Sequence, residues 1–282
     1  MPRKVPEKTV YYRDELNDDF AGTNIRRREV DERFTFVRKN PIWRCASFVL
    51  YYVVAMPLIW LYERVFLGAK FVNKRAVKKA KGKPYFLYGN HTGFIDAFTP
   101  NLISFPRRND IVVAADTVSI KGLKNITQML GALPVPTHRR GMKKFLEAIE
   151  YYGKRRNITV YPEAHIWPYY TGVRQFKDVS FAYPIRCGAP TFAFFTAYTR
   201  PKGLLAFLRK ANVTVYVSDP IYPENGLTKK EAQKDLRNKV YAFMAEKSAL
   251  SDYNVIEYIK ENAAKGISDS PPSGAWRTRR ED

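Results

Sequence analysis

Short apolar runs alternate with amphipathic segments through the middle of the chain. Runs typical of buried strands occupy residues 85–88, 111–115, 133–135, 158–161, 191–197 and 213–217. Apolar positions at helical spacing lie between several of them, over residues 94–103, 119–130 and 142–152. Strands that alternate with helices predict an α/β fold, with a mixed or largely parallel sheet flanked by helices.

A further helix is predicted near the end of the chain, because Thr228 can cap a helix that runs to about residue 247. One face of this helix carries Leu236, Val240, Phe243 and Met244. We expect residues 251–282 to form a C-terminal helix and a tail that is disordered by composition from Ser268 onward.

The most apolar segment lies upstream, over residues 46–62, between Arg44 and Glu63. It is slightly shorter than the ~20 residues that cross a bilayer, and Pro57 would kink a helix there. The segment predicts a membrane-anchoring helix, or a kinked helical hairpin, sunk into one leaflet. A full span and a buried core helix are the alternatives.

Charge divides the chain into parts. Residues 1–44 are highly charged and predict a mobile arm, 45–84 an anchor with a basic segment, 85–250 an α/β domain, and 251–282 the C-terminal part. The formal net charge of +21 calls for a polyanionic partner. Only Glu63 opposes eight cations over residues 63–84. They are Arg64, Lys70, Lys74, Arg75, Lys78, Lys79, Lys81 and Lys83.

A basic cluster beside an apolar anchor is the pattern that binds the anionic cytoplasmic leaflet of a membrane. Nucleic acid is disfavoured as a partner, because Phe66 and Phe71 are the few aromatic residues among these charges that could stack on bases. We therefore predict a protein bound to anionic phospholipid, with its domain on the cytoplasmic face.

Neither a disulfide framework nor a metal site is expected. Cys45 and Cys187 are the two cysteines, and both are interpreted as inert side chains of a reducing compartment. The three histidines stand far apart in sequence, so the chain has no Cys/His spacing typical of zinc.

Candidate chemistry follows the first predicted strand of the domain, where His91 and Asp96 are five residues apart. On a regular helix this offset would turn the two side chains about 140° apart. They can meet if His91 lies on the loop and Asp96 about one turn into the helix, with Gly93 at the bend. The pair would then be a base and its orienting carboxylate. Capping alone also explains a polar loop histidine followed by an aspartate.

Four motifs in order resemble those of the 1-acyl-glycerol-3-phosphate acyltransferases and related glycerolipid acyltransferases. N-H-T-G-F-I-D at 90–96 is similar to that family's N-H-x-x-x-x-D, and V-Y-P-E-A-H at 160–165 to its F-P-E-G-T-R. G-A-L-P-V-P at 131–136 and G-A-P-T-F-A at 188–193 fall where the second and fourth motifs belong.

The resemblance implies an acyl-CoA or acyl-carrier-protein donor as co-substrate, and neither cofactor nor metal. It makes His91 the general base, Asp96 its orienter, and Glu163 a group that places the glycerol backbone of the acceptor. From the residues alone, Glu163 can also be a strand-end carboxylate paired with a nearby Lys or Arg.

Departures from the family pattern bear on the acceptor. Thr137 and Ile166 stand where the family's two phosphate-binding arginines belong, and Ala164 and His165 replace a glycine and a threonine. His165 is either a second polar group of the site or an ordinary loop histidine. The cations that can replace the missing arginines are Arg139, Arg140, Arg174 and Lys177.

These observations predict an enzyme of phospholipid biosynthesis that moves an acyl group to a lysoglycerolipid, with 1-acyl-glycerol-3-phosphate as the first candidate. The alternatives are another lysophospholipid or lipid alcohol as acceptor, or a non-catalytic basic protein that coats membranes and keeps the fold. A serine hydrolase is disfavoured, because the chain has no Gly-x-Ser-x-Gly elbow.

Overall fold

The structure is a computed structural model that describes residues 6–20, 29–119, 122–203 and 206–261. The strands in this part of the chain are β1 Lys8–Tyr12, β2 Lys70–Val72, β3 Phe86–Gly89, β4 Asn109–Val113, β5 Ala132–Pro134, β6 Asn157–Val160, β7 Thr191–Thr199, β8 Asn212–Val217 and β9 Ile256–Lys260. All six strands predicted from the apolar runs are confirmed, as β3 to β8, with bounds shifted by up to two residues.

Strands β2 to β8 form one sheet in the order β2-β8-β7-β3-β6-β4-β5. Neighbouring strands are parallel, except that β7 and β8 run antiparallel. The predicted α/β class with a largely parallel sheet is therefore confirmed. Strand β3 lies in the middle of the sheet between β6 and β7, so its carboxyl end is a position that the rest of the fold surrounds.

Both faces of the sheet are covered, which is why its central strands appear as continuous apolar runs. Successive side chains of β3 point to opposite faces. Phe86 and Tyr88 belong to one buried cluster and Leu87 to another, and all three are fully buried. The cluster of Phe86 includes residues of helices Arg139–Gly153 and Lys229–Ser248, and Ile185 of helix Ala182–Cys187 packs against it.

The predicted helices are present with changed bounds. The segment 94–103 divides into a 3-10 turn, Phe94–Ala97, and helix Thr99–Ser104, because Pro100 has no N–H and fits only in a first turn. Helix Lys124–Met129 is shorter than predicted. Thr228 caps helix Lys229–Ser248 through a capping box with Glu231. Further 3-10 turns span Lys74–Ala80, Ala115–Val118, Val179–Phe181 and Ala206–Leu208.

The apolar segment forms one helix, Pro41–Phe66, that is long and apolar enough to cross a membrane by length and composition. Of the two predicted forms, a helix or a kinked helical hairpin, the hairpin is wrong, because the chain continues past Pro57 without turning back. Helical bonding switches to the π type over Val49–Ala55, directly before helix Met56–Leu61. Pro57 has no N–H to donate to the preceding turn, and the switch to the wider π type lets the helix continue without that hydrogen bond.

The arm predicted over residues 1–44 is ordered where the structure describes it. Strand β1 pairs in parallel with β9, and Val10 is buried. Phe34 and Phe36 pack into the main core beside Phe145. Local patterning missed these contacts, because each apolar residue stands among charges and packs against partners distant in sequence.

The C-terminal helix predicted after residue 250 is also wrong, since residues 256–260 form β9. Ile256 and Tyr258 are two residues apart, which is the period of a strand, and β1 supplies the backbone partners that a lone edge strand needs. The tail predicted from Ser268 lies outside the described residues.

Candidate active site

The site forms where β3 ends at the middle of the sheet. Gly89 is required there, because a Cβ would collide with the ring of Phe194. The Asn90 side chain extends the β3–β7 pairing, since its Oδ1 accepts the Thr196 N–H at 2.8 Å and its Nδ2 donates to the Thr196 carbonyl at 3.1 Å. The loop that begins at His91 is thereby fixed to a rigid sheet.

His91 and Asp96 meet as predicted. The Nδ1 atom of His91 lies 2.8 Å from Oδ2 of Asp96, which sits in the 3-10 turn after the loop. The same oxygen accepts the backbone N–H groups of Thr92 at 2.6 Å and Gly93 at 3.0 Å. Because an ionised carboxylate only accepts hydrogen bonds, it holds the proton of His91 on Nδ1 and leaves Nε2 as the basic nitrogen.

Two buried tyrosines support the dyad, and both were missed from the sequence. The His91 ring stacks on Tyr161 with 4.5 Å between centroids, and the Tyr161 hydroxyl donates to the Asp96 carbonyl. The Tyr198 hydroxyl lies 2.8 Å from Thr92 Oγ1. Burial raises the pKa of both tyrosines well above the ordinary value, so at neutral pH both hydroxyls keep their protons.

Glu163 lies beside His91 but is occupied by a buried ion pair. Its Oε2 accepts the His91 backbone N–H at 3.2 Å and the Arg174 Nη2 at 3.1 Å, while Oε1 accepts the Arg174 N–H at 3.2 Å. Both side chains are fully buried. The geometry matches the alternative of a paired strand-end carboxylate. Glu163 and Arg174 hold the loop in this structure, and their assignment as acceptor-binding groups stays a prediction.

The loop after β6 is bonded directly to the His91 loop, which joins the first and third motifs. The Trp167 N–H donates to the His91 carbonyl at 3.2 Å, and the Tyr169 N–H to the Thr92 carbonyl at 2.9 Å. The Trp167 ring lies 5.0 Å from the Arg174 guanidinium carbon. Ala164 has a φ of 65°, the left-handed region that favours the glycine of the resembled motif.

No described hydrogen bond or ion pair joins the other predicted site residues to His91 or Asp96. His165 turns toward the N-terminal segment, with Nδ1 3.5 Å from Asp19 Oδ2. Lys177 is exposed. Arg139 and Arg140 are exposed at the start of the helix after β5, and β5 is three strand positions from β3, or about 14 Å.

A buried carboxyl group links the apolar helix to this site. Glu63 is 0% exposed, and its Oε1 accepts a hydrogen bond from Thr99 Oγ1 at 3.0 Å, three residues after Asp96. Burial raises the pKa of Glu63 to about 8, with the Thr99 hydrogen bond opposing and the Asp96 charge adding to this shift. Glu63 therefore carries a proton at neutral pH. From the sequence, this residue was identified only as the boundary of the apolar segment.

Glu63→Gln is expected to remove a pH dependence of stability. In the wild type the folded state holds the Glu63 proton more tightly than the unfolded state does. The free energy of unfolding should therefore fall as pH rises from about 4.5 to about 8, by roughly 4–5 kcal/mol. Urea unfolding in a mild detergent at several pH values measures this slope. An equally steep slope in Glu63→Gln would contradict the assignment.

Among the described residues, no group of three or more His, Cys, Asp or Glu side chains is placed to hold a metal ion. The cysteines are free thiols, and burial raises the pKa of Cys187 to about 11.

No protein-family model and no curated protein matches the sequence. Among solved structures, the chain is similar to the 1-acyl-sn-glycerophosphate (LPA) acyltransferase PlsC from Thermotoga maritima, with a TM-score of 0.47 and 15% sequence identity. The match covers 73% of this chain and 94% of the PlsC chain. At this level the similarity carries no information about the reaction, which has to come from the side chains of the site.

Proposed function

We propose that the chain is an acyltransferase that moves a fatty acyl group from acyl-CoA or acyl-carrier protein to a hydroxyl of a lysoglycerolipid. The observation that carries the proposal is the 2.8 Å contact between His91 Nδ1 and Asp96 Oδ2 at the end of the central strand. An imidazole held in this tautomer can accept a proton near neutral pH. The resemblance of the surrounding motifs to glycerolipid acyltransferases supports the choice of reaction.

The proposed reaction uses one proton and one histidine. Nε2 of His91 takes the proton of the acceptor hydroxyl as its oxygen bonds to the thioester carbonyl carbon. The carbon–sulfur bond of the tetrahedral intermediate then breaks, and the leaving thiolate takes the proton from His91. Asp96 remains ionised throughout and stabilises the imidazolium. The products are an acyl ester and a free thiol.

The acceptor remains the open part of the proposal. Arg174, one of the cations considered for a lipid phosphate, is fully buried and paired with Glu163 through Nη2, while its Nε and Nη1 have no hydrogen-bond partner among the described residues. Arg139, Arg140 and Lys177 are exposed and can contact a phosphate only if the acceptor reaches beyond the His91 loop. We keep 1-acyl-glycerol-3-phosphate as the first candidate acceptor, with a larger lysophospholipid or another lipid alcohol as the alternatives.

The apolar helix supports a lipid substrate, because it lies along the flank of the domain. Tyr51 accepts the Asn109 N–H at 3.1 Å and donates to Asn101 at 2.9 Å, and Glu63 is bonded to Thr99. The two attachment points are 12 residues apart, or about 18 Å along the helix. A helix fixed in this way can present its free face to one leaflet, with the domain at the cytoplasmic surface. The exposed apolar residues of this helix include Ile42, Phe48, Val53, Leu58 and Trp60.

Leu58→Glu is expected to release the protein from membranes without unfolding it. Leu58 is 60% exposed, so a charge there costs little in the fold but a great deal in a bilayer. Val179→Glu is the matched control, since Val179 is 64% exposed and lies on the other side of the sheet. Flotation with vesicles should show loss of binding for Leu58→Glu only. Equal binding by both variants would exclude the in-plane helix.

One assay tests the function itself. Purified protein in anionic vesicles is incubated with labelled acyl-CoA and a panel of lysolipids that includes 1-acyl-glycerol-3-phosphate. The proposal predicts a labelled diacyl product with at least one acceptor, and one free thiol released for each ester formed. If the folded, vesicle-bound protein gives no product with acyl-CoA or acyl-carrier protein, the non-catalytic membrane-binding alternative stands.

A further inference from the structure

A second candidate site lies at the opposite end of the sheet from His91. A cavity of 1210 Å³ opens between the first half of helix Pro41–Phe66 and the turns that lead into β3, β4 and β6. Nine Lys and Arg side chains line it, and no Asp or Glu is among its described lining residues. Such an excess of one charge in a single cavity indicates a phosphate-bearing ligand.

Part of this positive charge is already balanced inside the protein. Arg108 and Arg156 each pair with Asp110 at 3.0 Å. Among the described ion pairs, none involves Arg44, Arg75 or Lys78, which come from the apolar helix and the basic segment. These side chains leave a net positive charge facing the cavity.

Lys74 is a half-buried lysine of this lining. Burial lowers its pKa, and the charge of Arg64, which lies outside the lining, lowers it further, while Glu63 opposes the shift. A bound anion would reverse the second effect, because an opposite charge within a few ångströms favours the charged form of a lysine.

The cavity also has an apolar side that is continuous with the proposed membrane face. Phe48 and Tyr52 of the helix line it, opposite Phe105. Phe48 and Phe105 are 57% and 52% exposed, although both are large and apolar. A ligand that is anionic at one end and apolar at the other matches both parts of this lining.

Distance separates this cavity from the proposed acyl-transfer site. Tyr85 lines the cavity at the start of β3, whereas His91 follows the end of the same strand. Six residues of extended chain span about 20 Å. A lipid whose phosphate lies in the cavity therefore cannot place its glycerol hydroxyl at Nε2, so the cavity is not the acceptor site.

We propose that this cavity binds the phosphate-bearing head group of an anionic membrane phospholipid as a non-substrate anchor, with the acyl chains against the exposed face of helix Pro41–Phe66. The proposal depends on the in-plane position of that helix and not on acyl transfer. A lipid held here would fix how deep the helix sits in the leaflet and thereby the height of His91 above it.

The test measures binding to phosphatidylcholine vesicles with and without phosphatidylglycerol as about one third of the lipid. The cavity variant carries Arg75→Glu and Lys78→Glu, and the control variant carries Lys229→Glu and Lys230→Glu. Both variants lose the same net charge, because each replaces two cations by two glutamates. The control lysines are exposed on a helix that packs against the opposite face of the sheet. The cavity variant should bind the anionic vesicles about 30-fold or more weakly, and the control within about 5-fold of wild type. Equal losses in both variants would overturn the site.

Soluble phosphates distinguish the lipid from coenzyme A. Free CoA and pyrophosphate, added at millimolar-scale concentrations, should leave vesicle binding of the wild type within about 2-fold. CoA binding that occurs without vesicles and is lost in the cavity variant would overturn the lipid assignment. In neutral detergent micelles the cavity variant should keep the acyl-transfer rate of the wild type. Loss of vesicle binding with no transfer by either protein would support the anchor and contradict only the proposed function.

Discussion

His91→Ala is expected to lower kcat/KM for acyl transfer by about 10³-fold or more. The substitution removes the only nitrogen that the dyad presents as a base, and general base catalysis contributes about 10²–10⁴-fold. The imidazole is 18% exposed and stacks on Tyr161, so its loss leaves a partly solvated gap and not a buried charge. We therefore expect the kinetic effect to be far larger than the effect on stability.

The chain supplies matched controls, since it has two other histidines. His138 lies 3.6 Å from Glu29 on an exposed surface, and His165 faces Asp19. His138→Ala and His165→Ala should stay within about 3-fold of wild type when labelled product is measured in the same vesicles. Comparable rates for His91→Ala and wild type would remove the proposed mechanism.

Arg174→Met is expected to cost about 3–5 kcal/mol in the free energy of unfolding. The substitution leaves the Glu163 carboxylate buried without its opposite charge, and an unpaired buried charge is strongly destabilising. It also removes the guanidinium that packs on Trp167. Because Glu163 holds the His91 backbone N–H, transfer activity should fall as well.

Arg186→Met is the matched control for this effect. Arg186 pairs with Glu150, but their side chains are 49% and 34% exposed, so the loss should stay below about 1 kcal/mol. Urea unfolding in a mild detergent compares the two variants. Replacing Glu163 by Leu together with Arg174→Met should recover part of the stability, because no lone charge then remains. Equal, small losses for both single variants would mean that the Glu163–Arg174 pair contributes little.

Six of the seven strands of the sheet were predictable as apolar runs, and the central strands β3, β6 and β7 are buried on both faces, whereas the short, mostly exposed β2 was missed. Strands buried on both faces appear as uninterrupted apolar runs, whose meaning depends on nothing outside the run itself. The dyad was predictable for a related reason. His91 and Asp96 lie within one strand–loop–turn unit, so backbone geometry alone decides whether their side chains meet.

Contacts between distant segments were not predictable from the same patterns. Tyr198 reaches Thr92 across 106 positions, and Glu63 reaches Thr99 from the apolar helix. The pairing of β1 with β9 joins the two ends of the chain, and neither strand is apolar enough to be identified alone. For Glu163, local sequence left two roles open, and the contact with Arg174 favours the paired strand-end carboxylate.

The ring protonation of His91 tests the central claim most directly. Nitrogen-15 NMR of histidine-labelled protein gives three ring systems, and His138→Ala and His165→Ala assign the remaining signals to His91. At neutral pH, we predict a proton on Nδ1 and none on Nε2. Asp96→Ala removes the acceptor, so the proton should shift toward Nε2 in that variant, whereas the oxygen of an Asn at this position would be held by the Thr92 and Gly93 N–H groups and would still accept from Nδ1. A wild-type His91 that carries its proton on Nε2, with no change in Asp96→Ala, would contradict the claim that Asp96 prepares this imidazole to accept a proton.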